Sequence, residues 1–208
     1  MEKFVDIAVD VETLSLMPNA AIIQIAAREF DIDGWGNNSD DSASFFKNVD
    51  ATSCAMYGLH FDQRTVDFWS KQSYSLKSQF KFGYGKGIAQ VLNEFAEWVN
   101  NLKINRDSDC LRVWMQGTDF DGVILRNAFD VVSVDCDLPW KYNDLRDSRT
   151  YVLEHLRTFH HDVADPYTCI PKLSGLVKHY APDDVIWLIH CVQFCRYEVK
   201  HVKFSELT

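Results

Sequence analysis

The sequence predicts an α/β fold: a mixed sheet in which an antiparallel meander is followed by parallel strands, flanked by helices. Three observations predict it. Short strand-like runs open the chain, a helix-strand-helix texture follows, and one long amphipathic stretch closes it. FVDIAVDV is short and rich in Val, and AAIIQIAAREFDI is a second such run. SASFFKNV makes the third after the polar turn DGWGNNSDDS. GIAQVLNEFAEWVNNL then sets Ile88, Val91, Leu92, Phe95, Trp98 and Val99 at helical spacing. LRVWMQ reads as a buried strand, and FDGVILRNAFDVV carries Val123, Ile124, Ala128 and Val131 on a helix starting near Asp121. In DVIWLIHCVQFCRYEV, Val185, Leu188, Val192, Cys195 and Val199 form one apolar stripe. Asp183 and Asp184 enter that helix, and their charge suits a helix amino terminus.

A chain of 208 residues, 47% hydrophobic and 13% aromatic, has ample material for a buried core. No repeat, low-complexity tract or proline-rich linker divides it, so one domain over residues 1–208 is expected. The start, MEKFVDIAVDVET, has its apolar run broken by Asp6 and Asp10, unlike a signal peptide, and no run has membrane-spanning length. Cys54, Cys110, Cys136, Cys169, Cys191 and Cys195 form no C-x-x-C pair and read as reduced thiols. A cytoplasmic protein without a membrane partner is expected. The net charge of -9 excludes coating nucleic acid by charge alone, but not an enzyme that acts on it, because carboxylates gathered around cations lower the net charge.

Three pieces carry the chemistry. Asp10 and Glu12 lie two apart at the end of the first strand, so alternation points both to one face. Hard cations such as Mg²⁺ take carboxylate oxygens, and the pair reads either as part of a cation site or as a solvated strand end. WMQGTDFDGVIL is a buried strand, a Gly-containing turn and a helix opening at Asp121, over the carboxyl end of a strand, where ligands gather in α/β sheets. Asp121 is equally suited to the helix dipole. HYAPDDVIWLI sets His179 five residues before Asp184, as a general base beside a metal ligand or as a loop histidine before a capping acid.

As an ordered set, these pieces resemble the DEDDh branch of the DnaQ-like 3′-5′ exonucleases, especially its small phage and bacterial members, over most of the chain. DVETLS resembles the first exonuclease motif, WMQGTDFDGVILRNAF the second, and HYAPDDVIWLI the third, H-x-A-x-D-D followed by a helix. GLHFDQRTVDFWSKQS and LRDSRT resemble segments of the smaller members. Pro182 stands where the third motif usually has an aliphatic residue, and Leu188 where a polar one is common. The resemblance implies a ribonuclease-H-like fold and hydrolysis of terminal phosphodiesters at the 3′ ends of single-stranded DNA or RNA. It implies two Mg²⁺ ions, replaceable by Mn²⁺, held by Asp10, Glu12, Asp121 and Asp184, with Asp10 shared between them. His179 is implied as general base, suited by an ordinary pKa of about 6.5. Thr13 and Leu14, directly after the acidic pair, are candidate substrate contacts. DNA and RNA are not separated, and homodimerisation is open. So are a catalytically silent binding module and a proofreading or processing subunit.

His160 and Asp165 repeat the five-residue spacing, but Pro166 and Pro171 break any helix that Asp165 would open, so His179 and Asp184 are preferred. KQSYSLKSQFKFGYGKG holds Lys71, Lys77, Lys81 and Lys86 without an acid, interleaved with Tyr74, Phe80, Phe82 and Tyr84. It reads as a strand-binding segment, with Lys77 and Lys81 as contacts, or as a solvated loop. Arg146, Asp147 and Arg149 in LRDSRT are candidates for orienting metal ligands or holding a phosphate, or belong to a salt-bridged loop. His190, Cys191 and Cys195 lack a fourth ligand for zinc and read as packing residues.

Overall fold

The computed structural model describes residues 4–36, 42–80, 85–108, 110–132, 135–160 and 164–201. Strands β1 (Val5–Thr13), β2 (Ile22–Phe30) and β3 (Ser44–Asn48) form an antiparallel meander, and β4 (Leu111–Met115) and β5 (Leu145–Asp147) extend it in parallel from β1. The order across the sheet is β3-β2-β1-β4-β5. Helices α1 (Ala51–Met56), α2 (Gln63–Ser70), α3 (Tyr74–Gln79) and α4 (Ile88–Arg106) lie between β3 and β4. A π-helical turn (Thr118–Gly122) leads into α5 (Val123–Val132), α6 (Ser148–Phe159) follows β5, and α7 (Ala181–His201) comes last. The expected mixed sheet is present. Among the described residues, no helix is long and apolar enough to cross a membrane.

Strand alternation divides the core. Val5, Ile7, Val9 and Val11 of β1 enter a large cluster with Val91, Leu92, Phe95 and Val99 of α4 and Ile124, Leu125 and Ala128 of α5. Ala8 belongs to a second cluster on the other face, with Ala26 of β2, Val152 and Leu156 of α6, and Val185, Leu188, Val192 and Cys195 of α7. The apolar stripe read on the last helix is therefore its buried face, apart from the exposed Val199. Small side chains at Ala8, Ala26 and Ala181 let α7 lie close to the sheet. Leu188 packs in this core, and Pro182 falls in the first turn of α7, where a missing N–H costs no helical hydrogen bond.

The start of α7 is fixed by Gln24, which is 0% exposed. Its Oε1 accepts from the Ala181 N–H at 3.3 Å, satisfying a donor that the first helical turn leaves unpaired, and its Nε2 donates to Asn48 Oδ1 at 2.9 Å. Gln24 also lies directly opposite Glu12 in the β1–β2 register. Gln24→Met keeps the chain length and removes both bonds, so it should lower the unfolding free energy by about 1–3 kcal/mol in urea denaturation. An unchanged midpoint would show that α7 is positioned without it.

Candidate active site

Asp10 and Glu12 alternate onto the α7 face of β1, where Asp10 pairs across the sheet with Ala26 and Glu12 with Gln24. Both are half-buried near the carboxyl end of the strand. Asp121 arrives from the adjacent parallel strand. At the end of β4, Gly117 takes φ 123°, a left-handed value that favours glycine, and the chain winds into the π-helical turn. Asp121 is 4% exposed there, and its Oδ1 accepts from the Val11 N–H at 3.3 Å, which ties it between Asp10 and Glu12 on the chain.

The segment after β5 braces this turn. Asp147 caps α6 by accepting from Thr150 N–H at 2.7 Å, and its other oxygen accepts from Thr118 N–H at 3.1 Å. Ser148 Oγ donates to the Met115 carbonyl and Arg149 Nη2 to the Gln116 carbonyl, both at 3.0 Å.

The third piece comes from the start of α7, where two first-turn acids reach backwards. Asp183 Oδ2 accepts from Val177 N–H at 2.7 Å, and Asp184 Oδ2 from His179 N–H at 2.9 Å. His179 itself takes φ 65°, a conformation sparsely populated outside glycine. The result places His179 beside Glu12 and Asp184: ligand atoms of the three all lie within 4.8 Å of one another. Phe68 of α2 meets the His179 ring edge-on at 5.2 Å, and Trp69 lies 6.3 Å from it. Trp69 Nε1 donates to the Thr13 carbonyl at 2.8 Å, so α2 also grips the chain just past the acidic pair.

Electrostatics show how closely these groups converge. Burial, then repulsion from Asp121, Glu12 and Asp184, holds the Asp10 carboxyl well above its usual range. Burial with repulsion from Asp184 and Asp121 pushes Glu12 up to about 8. Burial raises Asp121 to about 7, opposed by the Val11 N–H and the Arg149 charge, and raises Asp184 to about 6, opposed by the His179 N–H. His179 moves down, through burial and then Lys178, so its imidazole is neutral near pH 7. Four oxygen donors that repel one another, with one imidazole at their edge, suit hard divalent cations.

The remaining candidates fall elsewhere. Thr13 and Leu14 are buried behind the acids, and Thr13 Oγ1 donates to the Ser15 carbonyl. Lys77 is in α3, with Nζ donating to the Ser70 carbonyl. Phe80 is buried against Trp69, while Tyr74 is exposed. Lys81, Phe82 and Tyr84 lie outside the described residues. Arg149 acts on Asp121, but Arg146 is not brought to the acids. It pairs with Trp114 in the β4–β5 register and borders a cavity with Arg112 and Arg196. His160 Nε2 meets Glu198 at 3.1 Å, and Asp165 caps only the 3-10 turn Pro166–Cys169. His190 Nε2 bonds the Pro171 carbonyl, while Cys191 and Cys195 are buried free thiols. Asp147 and Trp69, which help hold the site together, lie in LRDSRT and GLHFDQRTVDFWSKQS, whereas Gln24 carries no motif of its own. The only sequence signal for Gln24 is a polar residue inside the apolar run IIQIAA.

Because the four carboxyls are raised, the folded protein without metal retains protons that the unfolded chain releases at ordinary carboxylate pKa values of about 4. Their contribution to stability is complete below about pH 4 and is lost as pH rises through about 6 to 8. In EDTA the Tm should therefore fall between about pH 5 and pH 8, and Mg²⁺ or Mn²⁺ should raise it more at the higher pH. Equal cation shifts at both pH values would contradict this clustering of charge.

Comparison with known proteins agrees with the fold. The sequence profile of the Rv2179c-like 3′-5′ exoribonuclease domain matches residues 5–196. No curated protein matches by sequence. The fold is similar to that of cell-death related nuclease 4 (CRN-4), with a TM-score of 0.58 and 14% identity, covering 93% of this chain and 64% of that one. This chain thus spans just under two thirds of CRN-4. It is also similar to S. pombe Pop2p in its Mg²⁺- and Mn²⁺-bound form, with a TM-score of 0.55 and 14% identity, covering 94% of this chain and 83% of that one. With the profile spanning β1 to α7 and its three acidic pieces meeting at one end of the sheet, the chain belongs to the Rv2179c-like family of DEDDh, ribonuclease-H-like exonuclease domains.

Proposed function

We propose that the protein is a divalent-cation-dependent 3′-5′ exonuclease of single-stranded nucleic acid, with residues 1–208 forming one exonuclease domain. The observation that carries this reading is the convergence of Asp10, Glu12, Asp121 and Asp184 with His179 at their edge. The family description names an exoribonuclease, which supports RNA as the principal substrate.

Asp10, Glu12, Asp121 and Asp184 would hold two Mg²⁺ or Mn²⁺ ions, which acidify the attacking water and offset charge on the scissile phosphate. A ring nitrogen of His179 takes the water proton as the oxygen attacks the terminal phosphorus. The bond from phosphorus to the 3′ oxygen then breaks and that oxygen takes a proton from solvent water, leaving a nucleoside 5′-monophosphate and a chain with a new 3′-hydroxyl. The backward bond from the His179 N–H to Asp184 fixes the base relative to the acids, and the exposed Phe68 ring beside it offers a stacking surface for the terminal base.

Purified protein with Mg²⁺ and 5′-labelled single-stranded RNA or DNA should give a descending ladder, faster on RNA and absent in EDTA. Asp10→Asn should abolish it. His179→Ala should lower kcat by about 10²-fold to 10⁴-fold, the usual worth of a positioned acid-base group, while His160→Ala stays near the unmodified rate. Full hydrolysis in excess EDTA, or a silent His179→Ala beside a crippled His160→Ala, would overturn the reading.

A further inference from the structure

At the end of the sheet opposite the acids, the amino ends of β1 and β4 border a cavity of about 690 Å³. Arg112 of β4, Arg146 of β5, Arg196 of α7 and Tyr151 of α6 face it, with Phe4 on its wall. It is distinct from the catalytic cluster. Asp6, at this end of β1, is about 13 Å along the strand from Asp10, and Arg196 is about 18 Å along α7 from Asp184.

The cavity is rich in hydrogen-bond donors, and its acids are already engaged. Asp6 accepts from Arg112 through Nε at 2.7 Å and Nη2 at 2.5 Å, and from Trp114 Nε1 at 2.7 Å. Asp33 accepts from Arg196 Nε and Lys200 Nζ, both at 2.8 Å, and is held below the usual carboxylate range by them. Arg146 spends only Nη1, on the Asn143 and Leu145 carbonyls. Among the described residues, that leaves Arg112 Nη1, Arg146 Nε and Nη2, Arg196 Nη1 and Nη2, and the Tyr151 hydroxyl without a hydrogen-bond partner. Four cations against two carboxylates make this end locally positive in a chain of net charge -9.

We propose that this cavity binds a nucleoside 5′-monophosphate as a second site, separate from the carboxylate cluster. Three guanidinium groups around one space match the three terminal oxygens of a phosphate monoester, and arginine suits that geometry better than a point charge does. The Phe4 ring, 40% exposed with the Arg112 guanidinium 4.5 Å from its centroid, supplies an aromatic wall for the base. The volume falls in the range of small-molecule sites and is too small for a folded partner.

The test is calorimetric titration of the full chain in EDTA, where no cation can recruit phosphate to the acids, with adenosine 5′-monophosphate, adenosine and inorganic phosphate as probes. Saturable binding of the monophosphate is expected, tighter than that of either fragment. Arg146→Gln should weaken it about tenfold or more, and so should Tyr151→Phe, which keeps the ring packing on Trp114 at 5.4 Å. Asp10→Asn should leave it unchanged, whether or not the protein is a nuclease. Circular dichroism melts verify that each variant is folded. Absence of binding, binding unaffected by Tyr151→Phe, phosphate binding as tight as the monophosphate, or loss of binding in Asp10→Asn would each overturn the proposal.

Discussion

Asp10, Glu12, Asp121 and Asp184 repel one another from three separate elements, and burial makes each charge costlier still. A chain left to relax would spread them apart. It does not, because each is held by backbone that the sheet and helices fix first. Strand pairing aligns Asp10 with Glu12, the Val11 N–H holds Asp121, and the first turn of α7 folds Asp184 back onto His179. The two hydrophobic clusters on either side of the sheet stabilise that arrangement against the repulsion at its end.

Much of this was legible in the sequence because the governing signals are local. Strand alternation over DIAVDVE fixes one face for the acidic pair, and the apolar stripe from Val185 to Cys195 identifies the buried side of α7. What local pattern cannot carry is long-range pairing. LRDSRT shows no period of its own, yet Leu145–Asp147 becomes β5 by pairing with β4, and Ser148 opens α6. Arg146 and Arg149 sit three residues apart in LRDSRT, but β5 sends Arg146 to the far cavity while α6 sets Arg149 against the Gln116 carbonyl, close enough for its charge to act on Asp121. Gln24 is a single polar residue in an apolar strand, and its role is visible only when the start of α7 lies over it.

The same elements serve both ends of the molecule. β1 carries Asp6 and Asp10 on one face, and α7 carries Asp184 at its start and Arg196 three turns later. At one end the acids are left to repel, raised in pKa and open to cations. At the other, arginines neutralise the acids and leave donors to spare. The sign of the local charge therefore reverses along a single strand and a single helix, so an acidic protein keeps a carboxylate cluster and an arginine cluster at separate ends.

The claim that the carboxylate cluster exists to hold divalent cations is tested most directly by anomalous diffraction from crystals grown with Mn²⁺. The account predicts peaks enclosed by the side chains of Asp10, Glu12, Asp121 and Asp184, with the sheet and α7 unmoved. Peaks only elsewhere on the surface, with these four carboxylates in place and bare, would contradict it.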